Sequence, residues 1–179
     1  MLIVGGVAGH SKTSGLVYDE CQNSGAIEIV SDVKIDNQIF VSGILGRVET
    51  IGYDDNNVAK QNGVSLLNCQ NSGAVTVNVP NGTSNGANAC ISGIASSSDQ
   101  NIPVTDCSNT GDLTLNMPAS QARIGGIAAY NGGGGKCTRC TVECDIALLS
   151  DVTTPHVGGM VGYSNPGKYI DCSYKGKVS

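Results

Sequence analysis

Cys69-Gln-Asn-Ser-Gly73 recurs almost unchanged as Cys21-Gln-Asn-Ser-Gly25 and Cys107-Ser-Asn-Thr-Gly111. Two further, diverged copies carry the cysteine at Cys140 and Cys172. Each segment is followed by alternating apolar residues, as in Ala74-Val-Thr-Val77, which is the period-two pattern of a half-buried strand. Self-similarity of this kind indicates a repeat architecture, so the chain is interpreted as a stack of related units.

A second motif, two small residues flanked by apolar ones, recurs between the Cys segments. Its copies are Val4-Gly-Gly-Val7, Val41-Ser-Gly-Ile44, Ile91-Ser-Gly-Ile94, Ile124-Gly-Gly-Ile127 and Val157-Gly-Gly-Met160. In successive copies, the second residue of the small pair recurs at intervals of 37, 50, 33 and 33 positions. The longer intervals predict insertions, around residues 52–57 and 80–86. The small pair interrupts strict alternation and therefore predicts a bulge or a corner.

A third feature, an apolar residue three positions before each Cys, completes the unit. These residues are Tyr18, Leu66, Val104, Cys137 and Tyr169. Each unit thus has three short strands, and no segment shows the apolar spacing of a helix. We predict an all-β fold, a right-handed parallel β-helix (β-solenoid) of about four to five coils with three short strands each and very little helix. Residues 1–179 are expected to form a single domain.

Stacking in register predicts two ladders of equivalent residues, with successive rungs about 4.8 Å apart. The inward Cys ladder consists of Cys21, Cys69, Cys107, Cys140 and Cys172, whose small thiols suit a narrow interior. The Asn ladder consists of Asn23, Asn71 and Asn109. Stacked amides can hydrogen-bond from rung to rung. Glycan contact is the functional alternative for these amides, although turn chemistry alone favours Asn there.

The remaining cysteines form an irregular group, Cys137-x2-Cys140-x3-Cys144, with a superficial likeness to a zinc motif. A tetrahedral site needs a fourth ligand, and the sequence does not place His10 or His156 to supply it. We therefore expect no metal and no cofactor. Cys144 replaces the turn glycine of the other units and is the strongest candidate for a disulfide. Its mate stays open, as do the pairings of Cys137 and Cys90.

Composition excludes several function classes. The chain has 25 Gly, no Trp, one Phe and a net charge of −5, and its ten Lys and Arg are scattered. Without a basic stripe, nucleic acid is not an expected partner. There is no apolar run of roughly 18 residues, so this segment is not expected to insert into a membrane. The amino terminus lacks the pattern of a signal peptide.

The candidate ligand-contact stripe lies four residues after each second small residue. It consists of His10, Arg47, Ser97, Tyr130 and Tyr163. Tyr130 and Tyr163 should be neighbours on successive coils. Paired tyrosines can form a platform for a sugar or a peptide, or can simply cover a corner. A host glycan or a host protein is the expected partner.

The unit resembles the GLUG-type repeats of bacterial cell-surface proteins, in which a Gly, two apolar residues and a Gly precede a polar turn and a strand. The matching segments are Gly6-Val-Ala-Gly9, Gly43-Ile-Leu-Gly46 and Gly159-Met-Val-Gly162, whereas Gly93-Ile-Ala-Ser96 and Gly126-Ile-Ala-Ala129 depart from the pattern. The resemblance covers nearly the whole chain. It implies an extracellular or cell-surface location and a role as a stalk or interaction module.

The expected function is therefore that of a non-catalytic extracellular repeat module, a stalk, adhesin segment or ligand-binding scaffold. The alternative is part of a β-helix polysaccharide lyase or glycoside hydrolase, which would need clustered carboxylates. The acids before the Cys column, Glu20, Asp106 and Asp171, are interrupted by Asn68 and Arg139, so no catalytic residue is predicted.

Two further expectations concern a loop and the chain ends. Asp54-Asp55 could hold calcium, although adjacent acids in a polar loop are more often simply solvated. The chain begins and stops inside a unit, which predicts excision from a longer surface protein whose neighbouring domains cap the solenoid.

Overall fold

The computed structural model describes residues 1–12, 15–35, 37–49, 63–81, 88–98, 102–132 and 135–179. These residues form strands, turns and bends, and none of them is in a helix. Their strands stack in parallel, coil upon coil, so the fold is a parallel β-helix. The predicted insertion around 52–57, which contains Asp54-Asp55, lies outside the described residues, as does most of the insertion at 80–86.

The strands follow the chain through five successive coils. The first coil contains β1 (Leu2–Gly5), β2 (Ala8–Ser11), β3 (Val17–Asp19), β4 (Gln22–Asn23) and β5 (Ile27–Val30). The second contains β6 (Ile39–Ser42), β7 (Leu45–Val48), β8 (Ser65–Leu67), β9 (Gln70–Asn71) and β10 (Val75–Asn78). The third contains β11 (Asn88–Ser92), β12 (Ala95–Ser98), β13 (Pro103–Thr105), β14 (Ser108–Asn109) and β15 (Leu113–Asn116). The fourth contains β16 (Ala119–Gly125), β17 (Ala128–Gly132), β18 (Lys136–Thr138), β19 (Thr141–Glu143) and β20 (Ile146–Leu148). The fifth contains β21 (Val152–Gly158), β22 (Val161–Asn165), β23 (Lys168–Ile170) and β24 (Ser173–Lys175).

Equivalent strands of successive coils pair into five parallel sheets. Sheet A is β1-β6-β11-β16-β21, sheet B is β2-β7-β12-β17-β22, and sheet C is β3-β8-β13-β18-β23. Sheet D is β4-β9-β14-β19-β24, and sheet E is β5-β10-β15-β20. Parallel strands of this kind need long connections between partners, and here one turn of the solenoid is that connection.

The parallel β-helix predicted from the repeat is confirmed, and all three predicted strands of the unit are present. They belong to sheets A, C and E. The Gly corner continues into a further strand, that of sheet B, and the Cys-x-Asn segment contributes the short strand of sheet D. Both additions pair in register. Val104, for example, pairs with Leu66 and Cys137, as the repeat alignment requires.

The core runs continuously through the stack. Strand alternation directs one face of each sheet inward, so Val75 and Val77 of β10 are buried while Thr76 and Asn78 are not. The rungs above and below repeat this pattern with Ile27, Ile29, Leu113 and Leu115. All of them contact one apolar cluster. Each coil therefore covers the apolar face of its neighbour, as stacked repeats must.

The corner between sheets A and B is formed by the small residues of the second motif. Gly43 lies against the side chain of Asn71 across the interior, and Gly93 lies against Asn109 in the next coil. A Cβ at either glycine would overlap that amide and the carbonyl oxygen of the equivalent glycine in the following coil. The corner therefore needs glycine because side chain and backbone approach it from two directions.

We expect Gly93→Ala to lower the free energy of unfolding by about 1–3 kcal/mol, because the new methyl group overpacks this contact. Gly9→Ala is the matched control, since the nearest atom to its new Cβ would be the Ile3 carbonyl oxygen at 3.6 Å. Urea unfolding of both variants measures the difference. Equal unfolding midpoints for the two variants would contradict this account of the corner.

Candidate functional site

The predicted Asn ladder is present and carries a continuous chain of hydrogen bonds. The Asn23 amide donates to Oδ1 of Asn71 over 2.8 Å, and the Asn71 amide donates to Oδ1 of Asn109 over 2.7 Å. Each amide also donates to the carbonyl oxygen two residues later, at Gly25, Gly73 and Gly111. Asn71 and Asn109 are almost completely buried. Their donors and acceptors are used by the fold itself.

The predicted Cys ladder is also present and faces inward. The Cys69 thiol donates to the carbonyl oxygens of Tyr18 and Leu67, and Cys107 and Cys140 repeat this arrangement one coil apart. Hydrogen bonds from the flanking Cys140 and Cys69 thiols, together with burial, raise the pKa of the Cys107 thiol. Burial raises the pKa of Cys137 to about 12. Hydrogen bonding with Cys107 lowers the pKa of Cys69 and of Cys140, but both thiols are fully buried. The thiols of the column therefore fill the interior and act as weak donors.

The disulfide expected at Cys144 is wrong. All eight cysteines are free thiols, and the Cys144 sulfur accepts a hydrogen bond of 3.2 Å from the Asn109 amide. Cys144 thus ends the Asn ladder, because the next rung has Val142 in place of an asparagine. Burial raises the pKa of Cys144 to about 11. In the part of the chain that the structure describes, no cluster of three or more His, Cys, Asp and Glu side chains is placed to hold a metal ion.

The residues that precede the Cys column share one backbone conformation. Glu20, Asn68, Asp106, Arg139 and Asp171 all have φ between 51° and 54°, in the left-handed region. Their side chains are exposed, and Asn68 donates to Oδ1 of Asp19 over 2.9 Å. Arg139 makes a bidentate contact of 2.7 and 2.6 Å with Asp106, and this contact holds the pKa of the Asp106 carboxyl below its ordinary value. The column is a repeated corner rather than a set of catalytic acids.

One cleft does collect carboxylates, on sheet D near the C-terminal end. It has a volume of about 340 Å³ and is lined by Asp112, Glu143, Cys144, Asp145, Lys175 and Gly176. Oδ1 of Asp112 accepts the backbone N–H of Asp145, and Oδ1 of Asp145 accepts that of Lys177, both over 2.9 Å. Two of its three acids therefore anchor the backbone of the following coil.

The candidate ligand-contact stripe forms one column on sheet B. His10 pairs with Arg47, Arg47 with Ser97, Ser97 with Tyr130, and Tyr130 with Tyr163. The stripe faces a second column, on sheet A, across the outer side of the Gly corner. That column consists of Ile3, Phe40, Cys90, Arg123 and His156. We call the space between the two columns the corner groove.

The middle of the corner groove is closed by packing. Phe40 and Cys90 are buried and pack with Ala129 in a small apolar cluster outside the main core. The N-terminal end is occupied by charge pairs, because Glu49 contacts His10, Lys12 and Arg47 at 3.4 to 3.5 Å. The structure thus divides the stripe, and His10 and Arg47 do not share a surface with the tyrosines.

The C-terminal end of the corner groove is half-exposed and aromatic. The Tyr130 and Tyr163 ring centroids are 5.6 Å apart, and the His156 ring lies 4.9 Å from that of Tyr163. The Arg123 guanidinium carbon lies over both tyrosines, 4.5 Å from the Tyr130 centroid and 5.2 Å from the Tyr163 centroid. Sheets A and B thus bring together four side chains that can contact a polar or planar ligand.

The sequence interpretation found the tyrosines of this cluster but missed Arg123 and His156 as their partners. A signal for them exists, because the residue before each second motif forms a column of its own, and Arg123 and His156 are its last two members. The missing information was the angle between sheets A and B, which brings the two columns face to face.

Comparison with family models, curated proteins and solved structures finds no match for this chain. Among the described residues there is no helix of the length and apolarity needed to cross a membrane.

We expect Asn71→Ala to lower the free energy of unfolding by about 2–4 kcal/mol. The buried Oδ1 of Asn109 and the carbonyl oxygen of Gly73 lose their donor, and the Asn23 amide loses one acceptor. Asn116→Ala is the matched control. Asn116 is only partly buried and donates one hydrogen bond, to Oδ1 of Asn78 over 2.9 Å, so its loss should cost less than about 1 kcal/mol. Thermal or urea unfolding measures both. Similar losses would argue against a stabilising Asn ladder.

Thiol labelling tests the Cys ladder. In the folded protein at pH 8, iodoacetamide should modify only Cys21 and Cys172, which are partly exposed, while the six buried thiols react after unfolding. Even the two exposed thiols should react slowly, because burial raises the pKa of each. Intact mass before and after denaturant counts the adducts. Rapid modification of Cys137 or Cys140 in the folded protein would refute the inward orientation.

Proposed function

We propose that this chain is a non-catalytic extracellular repeat module of a bacterial surface protein, a solenoid scaffold that binds a ligand at the C-terminal end of the corner groove. The single observation that carries the proposal is the half-exposed Tyr130–Tyr163 pair held under Arg123. Aromatic rings with polar tips are the side chains that binding surfaces favour. The likeness to GLUG-type repeats supports the cell-surface location.

The use of polar side chains elsewhere supports the scaffold role. The Asn amides, the Cys thiols and the carboxylates of Asp112 and Asp145 bond to backbone groups of neighbouring coils or to their own equivalents there. These contacts stabilise the stacking of one coil on the next, as expected of a scaffold. The groove cluster is different, because its rings and guanidinium contact one another and leave part of their surface to solvent.

A second candidate function is polysaccharide cleavage, and the acidic cleft is the observation that favours it. A glycosidase needs one carboxylic acid and one carboxylate on either side of the bond that it breaks. Asp112 and Asp145 each have one oxygen bonded to the backbone, whereas none of the hydrogen bonds of the described residues holds the Glu143 carboxyl. The cleft therefore offers a weaker case than the groove.

The test is a glycan and host-protein binding screen on the module, followed by the double variant Tyr130→Ala/Tyr163→Ala. We expect the double variant to lose at least tenfold in affinity for whatever the screen identifies, because stacked rings provide the contact area. Tyr169→Ala is the matched control, since Tyr169 is an exposed tyrosine of the last coil that lies on sheet C.

Three results would overturn the proposal. The first is the absence of any binder, and the second is binding that survives loss of both groove tyrosines. The third is shortening of a polysaccharide during the same incubations, abolished by Glu143→Gln, which would establish the enzyme alternative.

A further inference from the structure

Arg123 lies in the corner groove and has no acidic partner among the described residues. It projects from β16 over the rings of Tyr130 and Tyr163. Its Nε atom is buried and has no hydrogen-bond partner. No hydrogen bond or ion pair of the described residues includes Arg123, and its guanidinium contacts the two tyrosine rings. A half-buried cation without an anion is costly to hold.

The other end of the same groove provides an internal comparison. Arg47 lies over the Phe40 ring at 4.8 Å, much as Arg123 lies over the tyrosines. There, however, the guanidinium contacts the Glu49 carboxylate at 3.5 Å. Arg47 thus contacts both an aromatic ring and a carboxylate. Arg123 contacts aromatic rings, and no carboxylate of the described residues lies beside it.

The chemistry of the Arg123 guanidinium indicates which ligand group would bind beside it. Its planar set of N–H donors matches the two oxygens of a carboxylate, and such bidentate contacts are among the stronger hydrogen bonds in proteins. Contact with two rings restricts the motion of the guanidinium, so less freedom is lost when a ligand binds. His156, paired with Arg123 in register and packed on Tyr163, can add a further N–H donor.

We infer that the C-terminal end of the corner groove binds an acidic polysaccharide. The Arg123 guanidinium donates two hydrogen bonds to a carboxylate of the ligand, and the two tyrosines pack against its sugar rings. This inference rests on the proposed ligand-binding function and names its ligand class.

A saccharide fits the site better than an acidic peptide. Peptides commonly add a strand to an open sheet edge, or place a side chain in a deep apolar pocket. The strands that carry Arg123 and Tyr130 are paired on both sides, by β11 and β21 and by β12 and β22. The apolar part of the groove is already filled by Phe40 and Cys90. What remains is a shallow surface of rings beside a cation.

The experiment compares two probes that differ only in the carboxyl group, polygalacturonate and the same polymer after chemical reduction of its carboxyls. Binding to the full chain is measured by calorimetry at low ionic strength. We expect the reduced polymer to bind about ten- to a hundredfold more weakly, which is the range for the loss of a charge-assisted hydrogen bond. Arg123→Gln should lower affinity for polygalacturonate by a similar factor, and Arg123→Lys by a smaller one.

Arg139→Gln is the matched control, because Arg139 is an exposed arginine outside the groove, paired with Asp106. It should leave binding unchanged, and circular dichroism should show all variants folded. Equal binding of the two polymers that depends on the tyrosines but not on Arg123 would overturn this inference and leave the proposed function standing. Binding of neither polymer, with no other binder in the screen, would overturn both. Polyglutamate binding with the same affinity and the same Arg123 dependence would overturn the choice of a saccharide.

Discussion

The contact of stacked asparagine amides with the corner glycines is the constraint on which the rest of the solenoid depends. An amide fills the interior only where the facing residue has no Cβ, so Asn71 requires Gly43 and Asn109 requires Gly93. This requirement links two motifs that are distant in sequence. It also fixes the register, because the same amides hydrogen-bond between coils. Where Val142 and Tyr174 replace the asparagine, they occupy the same space against Gly126 and Gly159.

Most of the fold was predictable because each coil has similar residues at equivalent positions and buries them in the same way. Three strands per unit, the Gly corner and both ladders follow from residues that recur at equivalent positions. The strand of sheet B and the short strand of sheet D were not predicted, since short polar or Gly-containing segments have no period of their own. The orientation of Cys144 was mistaken because spacing alone does not show which sulfurs face one another.

The candidate site was only half predictable for a related reason. Tyr130 and Tyr163 belong to a repeated column and were found, whereas Arg123 reaches them across the angle between two sheets. At the N-terminal end of the groove, Glu49 contacts His10, Lys12 and Arg47. Although burial opposes it, Lys12, Arg47 and His10 keep the pKa of Glu49 below its ordinary value. By contrast, Arg123 lies over the two tyrosine rings and has no carboxylate partner among the described residues.

The left-handed corner before the Cys column has a consequence for how such solenoids can change. Glu, Asn, Asp and Arg all occupy this position with nearly the same φ, so the backbone is set by the coil and not by the side chain. The side chains form a vertical row at intervals of about 4.8 Å. The residues of this row can therefore be substituted one at a time, in evolution or by design. The pattern of surface charge would change while the backbone of the solenoid stays the same.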